Sequence, residues 1–348
     1  MSFEPTWPRR IRRALFTSSL RADSWELIAQ LIDSDMDTGQ ALELAAKTMK
    51  GRGSGTAADI LWDIRESLAT GRLTQALQFY GSGGEAPLFA NAAHADLGVL
   101  LTGAGRIART DTEIKRATSA ALAMPALLFV AIGILYYVLG TQLFPVLREI
   151  SNPLLWNPIT SLVATIAEGG AANGQLIASI VVLMAVAAFL SRPIWTGRLR
   201  RFADRVPPWN VYRFRYGVGF AMAVVELARA GGDVNSRAIR RMAEHASPYA
   251  RDRMERVAVE LETVDIGTAC MKAGPDFPDR DLSPVLEALA PRVGGIVSFG
   301  TYLDRWIGKV ERTMKRNVAI LNLMFLAFFA VSLAAAMIAM LTSVQAVQ

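Results

Sequence analysis

The residues that could do chemistry in this 348-residue chain fall into a few short groups. Asp33, Asp35 and Asp37 alternate along Asp33-Ser34-Asp35-Met36-Asp37-Thr38-Gly39, as acidic ligands do in a calcium loop. An EF-hand also needs Gly at its sixth position and Glu at its twelfth. Thr38 and Leu44 stand there, so the segment reads as a helix-connecting turn with capping aspartates. The glycine clusters Gly51 to Gly55 and Gly81 to Gly84 lack the Lys-Ser/Thr of a phosphate loop, and no strand precedes them. They read as linkers. His94, His245 and Cys270 are isolated, which makes a metal site improbable, and a single cysteine allows no intrachain disulfide. No nucleophile, base and orienter occur as a set. The sequence therefore leads us to expect a non-enzyme, with no catalytic, metal or cofactor site. The remaining group is Arg237, Arg240 and Arg241, spaced i, i+3 and i+4 on one helix face. It is the candidate docking face for an acidic protein partner.

The frame that holds these residues is set by charge. Residues 117–147, 169–191 and 317–348 contain no Asp, Glu, Lys or Arg, although such residues make up 20% of the chain. Each stretch matches or exceeds the roughly 20 apolar residues needed to cross a bilayer. Three transmembrane helices are expected, at 117–147, 169–191 and 317–342. Of the 37 Lys and Arg, 14 precede the first stretch, 22 lie between the second and third, and Arg148 alone lies between the first and second. Cytoplasmic segments collect basic residues. The expected topology puts the N-terminus inside, an outer loop at 148–168, a large inner domain at 192–316 and an outer tail at 343–348. Glu168 borders the second span and reads as a solvated interface residue. Pro125 and Pro145 are helix-kink candidates, since Pro removes a backbone donor and clashes with the preceding turn.

Between these spans the apolar spacing is helical, and no segment alternates as strands do. Residues 1–20 form a basic arm in which Phe3, Trp7, Ile11, Leu15 and Phe16 could lie on anionic lipid. Residues 21–116 make a first helical domain, with a helix starting at Asp37 or Thr38 and a last helix from near Ala104. Residues 192–316 make a second domain with starts at Ser247-Pro248, Asp265, Ser283-Pro284 and Gly294-Gly295. Helix order and spacing give both domains one plan, an internal repeat of about 100 residues in which each copy ends in a span. The copies differ in charge: residues 1–118 are neutral overall and residues 192–316 carry a net +7. The fold class expected is all-α, a polytopic membrane protein with three transmembrane helices and two repeated cytosolic helical bundles.

Phe220 to Ala230 followed by Gly231-Gly232-Asp233-Val234, Phe144-Pro145 after the first span, and Arg205-Val206-Pro207 before the second domain carry a resemblance. With the order of domains and spans, they resemble the inner-membrane platform proteins of type II secretion systems and type IV pili, the secretion F family. The likeness covers residues from about Trp25 to Met340. In the first copy Thr102-Gly103-Ala104-Gly105 stands where the family has Gly-Glu-x-x-Gly, which is nearer the conjugative and toxin-coregulated-pilus branch. The resemblance implies a multi-pass protein of the bacterial inner membrane, oligomeric and without nucleic-acid binding. It implies coupling of a cytosolic hexameric ATPase to extraction of pilin or pseudopilin subunits, alongside other inner-membrane assembly proteins and membrane lipid. The competing reading is a membrane subunit of a small-molecule transporter or permease, which requires polar groups facing one another within the spans.

Overall fold

A computed structural model describes residues 6–150, 152–205, 209–274 and 276–345, and every regular element among them is helical. Local chemistry sets most starts and stops. Helix α1 (Trp7–Leu15) carries Pro in its first turn. Thr17 caps α2 (Ser18–Asp33), and Asp37 caps α3 (Thr38–Gly51) by accepting from Gly39 N at 2.8 Å. That bond gives the Asp33–Asp37 segment its capping role. Helices α4 (Gly55–Ala69), α5 (Leu73–Tyr80) and α6 (Glu85–Phe89) follow, and α7 runs from Leu97 to Val138. A π-helical stretch at Leu139–Leu143 leads into α8 (Phe144–Ile150). Asn157 caps α9 (Pro158–Ala172), and α10 covers Gly174–Ile194. Then come α11 (Arg198–Ala203), α12 (Trp209–Arg229), α13 (Ser236–Glu244), α14 (Pro248–Glu260), α15 (Ile266–Ala273), α16 (Ser283–Leu289) and α17 (Gly295–Gln345). Ser247 and Asp265 cap α14 and α15 through their side chains, as their sequence positions require.

Several boundaries differ from the sequence reading. The described part of the basic arm is largely helical, made of α1 and the first residues of α2, while Phe3 and the Val206-Pro207 pair lie outside the described residues. Phe16 is buried, edge-on to Trp25 with ring centroids 5.7 Å apart, so it cannot serve as a lipid contact. The helix expected from Ala104 begins at Leu97. Residues 148–168 are mostly helical, and the second apolar helix starts after a break at Asn173 rather than at Gly169.

The chain forms two compact units. The first comprises residues 1–115 and 190–308, so the segments expected as separate domains share one body. Its centre is α12, in which Phe214 and every residue from Gly217 to Leu227 is buried. A helix apolar on all sides belongs inside a protein. Small residues let its neighbours reach it. A Cβ on Gly84, just before α6, would come within 2.7 Å of the Gly219 carbonyl oxygen, so two backbones meet where no side chain fits. Each fully buried Val, Leu or Phe along α12 contributes roughly 1.5–3 kcal/mol.

The second unit comprises residues 116–189 and 309–348. Its small core joins Leu139, Phe144, Leu147, Val163, Ala164, Ala167 and Ala336. Gly140 lies so close to the Ala167 backbone that no side chain fits. Two helical stretches, Leu97–Ile150 and α10, are long and apolar enough to cross a membrane, and Asn322–Ile338 within α17 is a shorter apolar stretch. No residue of α10 is buried, and its Leu183 and Phe189 are 68% and 62% exposed. Apolar surface on that scale is stable in lipid and costly in water.

The Gly84–Gly219 contact yields a stability prediction. Replacing Gly84 by Val must push two backbones apart, and overpacking of this kind costs about 1–3 kcal/mol. Gly51→Ala, at a position with nothing within 4 Å of the added carbon, is the control. Thermal melts of the purified full chain should show a clear loss for Gly84→Val and a change within about 0.5 kcal/mol for Gly51→Ala.

Candidate functional site

The three candidate docking residues lie on α13, but they do not present one free face. Ala238, Ile239, Met242 and Ala243 pack inward and fix the helix on the first unit. Arg237 is exposed, with no polar partner among the described residues. Arg240 is exposed and pairs with Glu262, and its Nε donates to Ser236 Oγ at 3.3 Å. Arg241 turns the other way. Its Nε donates to Asn91 Oδ1 at 2.9 Å, and the Asn91 amide reaches the Ala238 carbonyl at 3.4 Å. Arg241 thus ties the C-terminal half of the unit to the N-terminal half, leaving Arg237 and Arg240 as the surface pair.

The groups that build the unit were not apparent as a set in the sequence. Glu226 of α12 is 3% exposed. Its Oε1 accepts from Arg106 Nη1 at 2.8 Å and from Arg229 Nη1 at 2.7 Å. Arg106 also grips Asp304 with two contacts of 2.7 and 2.8 Å. A Cβ on Gly103 would lie 2.6 Å from the Glu226 Cγ, so Gly103 makes the room in which the Glu226 stem runs. Burial raises the Glu226 carboxyl, while Arg106 and Arg229 pull it down. This is one seam between the two halves.

A second polar cluster lies within the N-terminal half, reaches the other half through Asp111 and Arg215, and centres on Glu85, which is fully buried. Arg21 Nε donates to both its oxygens at 2.8 and 3.1 Å, and Trp25 Nε1 donates at 3.1 Å. Burial pushes its carboxyl up to about 7, against the opposing pull of Arg21 and Trp25. Nearby Asp111 bonds Arg215 and takes Lys115 at 2.8 Å. Although burial disfavours its charge, Arg215 and Lys115 hold its carboxyl below the ordinary range. Glu85 is buried and both its oxygens are bonded, so its elevated pKa reflects packing.

The segment after α10 docks through a buried cation. Arg200 is 1% exposed and donates from Nε to Asp204 at 2.8 Å. Its guanidinium lies 4.6 Å from the Tyr249 ring centroid and near the Trp195 and Tyr212 rings. Its two terminal nitrogens lack hydrogen-bond partners among the described residues. The aromatic faces supply the attraction instead. Tyr249 donates its hydroxyl to Asp204 at 3.1 Å.

In the second unit, Pro125 sits inside α7. Pro145 follows the π-helical stretch directly. A Pro there cannot donate back one turn, and a widened turn accommodates the missing bond. Glu168 is bound on both oxygens by Arg148 at 2.7 and 2.8 Å, and Arg148 stacks 5.9 Å from the Trp156 centroid. Cys270 is buried, which pushes its thiol up, and no metal-ligand cluster occurs among the described residues. In comparisons with known proteins, no family model and no curated protein matches the chain.

Glu85 gives a pH prediction. Its folded pKa of about 7 exceeds the ordinary value of 4.5, so between those values the folded state holds more proton than the unfolded state. Its contribution to stability therefore falls as pH rises through this window. Glu85→Gln keeps a neutral donor and removes that titration. The melting temperature of the variant should gain a few degrees on wild type between pH 5 and pH 8. A difference that stays constant over this range would show that Arg21 holds the carboxylate ionised throughout.

Proposed function

We propose that the chain is an inner-membrane platform protein of a type IV pilus or type II secretion machine. The observation that carries this reading is the order of elements. Six helices, α2 to α7, the last of which lies in the first apolar stretch, precede α10, and six more, α12 to α17, repeat one order: a helix of 16 or 21 residues, two of 9 to 15, two of 5 to 8, and a last one of 42 or 51. In both runs the last helix continues into an uncharged stretch. We read the runs as two copies of one unit, with Asn322–Ile338 as the centre of a third span. The basic residues then put both copies in the cytoplasm and the C-terminus in the periplasm.

On this reading the protein has no chemistry of its own to perform. Its cytosolic body offers a surface to a hexameric ATPase, and its spans meet pilin subunits as they leave the bilayer. Continuous helices such as α7 are stiff, which suits a part that relays motion. Arg237 and Arg240 are the exposed basic pair for an acidic partner surface, and their net +7 surroundings would speed its approach. Several copies would surround one pilin path.

Two experiments test the reading. Reporter fusions after Asn152 and at Gln348 should report the periplasm, and one after Thr263 the cytoplasm. A cytoplasmic signal at Gln348 removes the third span. Second, Arg237→Glu with Arg240→Glu should leave protein level and insertion unchanged, abolish pilus assembly or secretion, and weaken co-purification of the ATPase more strongly as salt rises. Arg241 stays unaltered, because its reversal would also break the Asn91 bond. Normal assembly by the double variant would reduce this face to solvated surface.

A further inference from the structure

Helix α1 sorts its side chains into three sectors. At about 100° per residue, Trp7, Ile11 and Leu15 form one stripe. They are 74%, 44% and 56% exposed, although all three are apolar. Arg9 and Arg12 occupy the sector that faces the protein, where both reach Asp63 of α4 at 3.2–3.3 Å. Phe16 follows them into the core. The helix is thus held from behind with its apolar stripe turned outward.

The third sector carries Arg10 and Arg13. They line an open cleft of about 970 Å³ with Arg21, Lys115, Ser18 and Ser82, and no acidic residue lines it. Among the described residues no acid pairs with Arg10 or Arg13; Arg13 instead lies over the Phe79 ring, 5.1 Å from its centroid. Arg21 is 5% exposed, and its Nη2 has no hydrogen-bond partner there, with Asp111 no closer than 3.9 Å. Lys115 donates to Ser18 Oγ at 2.7 Å and pairs with Asp111 at 2.8 Å. The cleft therefore combines two uncompensated guanidinium groups, a buried unsatisfied donor and hydroxyl groups. That is the donor set of an anionic oxygen ligand, and guanidinium suits phosphate.

The setting selects the source of the phosphate. Lys115 stands two residues before the uncharged stretch that begins at Ala117. Basic residues just outside an apolar span, beside an amphipathic helix, are placed for anionic headgroups. We propose that α1 is an interfacial anchor whose Trp7-Ile11-Leu15 stripe enters the bilayer surface while the Arg10–Arg13 cleft takes the phosphate of an anionic phospholipid. This rests on the chain being a membrane protein and is independent of the platform reading.

The test uses the full chain. In native mass spectrometry from neutral detergent, wild type should retain added phosphatidylglycerol and not phosphatidylcholine. Arg10→Gln with Arg13→Gln should weaken phosphatidylglycerol binding by about 30-fold, from two charges near a lipid surface. Lys50→Gln with Arg52→Gln, an exposed basic pair at the end of α3, should leave it unchanged. A second readout places an environment-sensitive fluorophore on Ile11→Cys, Cys270 being buried and unreactive. Its emission should shift to the blue in phosphatidylglycerol nanodiscs and return toward the water value when Arg10 and Arg13 are both Gln. The proposal is overturned if the fluorophore stays in water in anionic nanodiscs, or if the double variant keeps its lipid at an unchanged melting temperature. Displacement of the lipid by millimolar inorganic phosphate would also overturn it, marking the cleft as a site for soluble phosphate.

Discussion

The burial of α12 on every side is the constraint on which the first unit depends. Part of the cover on α12 (Trp209–Arg229) comes from its own half of the chain, where Phe277 lies against Phe220 with ring centroids 5.0 Å apart and Pro278 against Gly217. The remaining cover comes from residues 83–106, more than a hundred positions earlier. Gly84 meets Gly219, Gly103 admits Glu226, and the Asp96 amide donates to the Ala230 carbonyl at 3.0 Å. The two halves are therefore partners in one core, and neither has a complete interior without the other.

Burying α12 also buries Glu226, and the polar seams answer that cost. An uncompensated carboxylate in an interior is destabilising by several kcal/mol. Arg106 bridges Glu226 and Asp304, so the guanidinium satisfies a buried acid at one end and a solvated one at the other. Glu85 and Arg21 form a drier pair, in which Trp25 contributes the third bond and its ring stacks edge-on against Phe16 and Phe89. Arg200 shows a further solution, with aromatic rings in place of a second acid. Such pairs add little net stability against an apolar core, but they specify which surfaces meet. A register slip along α12 would part Glu226 from Arg106 and leave it only Arg229 of its own helix.

The second unit, which holds most of the apolar helical length, uses different means. Apolar attraction between helices is weak in lipid, so close approach through small residues matters more. Gly140 and Ala167 provide it, at the point where α7 gives way to the π-helical stretch before Pro145. Arg148 and Glu168 pair beside this contact. Amphipathic α1 in the first unit has a related character: its arginines on one side hold it to Asp63 while its apolar stripe stays uncovered.

Much of the local order was legible in the residues alone. Caps at Asp37, Ser247 and Asp265, and the start at Gly295, follow from short-range hydrogen bonding that a few neighbours decide. Uncharged stretches reveal long apolar helices because a buried charge is penalised wherever it falls. Reading the Asp33–Asp37 segment as a turn needed only the missing Gly and Glu. Tertiary structure decided the rest. Whether Arg241 faces solvent or Asn91, whether Phe16 touches lipid or Trp25, and why Gly103 is glycine all depend on residues distant in the chain. Periodicity assigns a side chain to a helix face, but it cannot name what covers that face. Spacing put Arg237, Arg240 and Arg241 together; packing of the two halves separated the third from the other two.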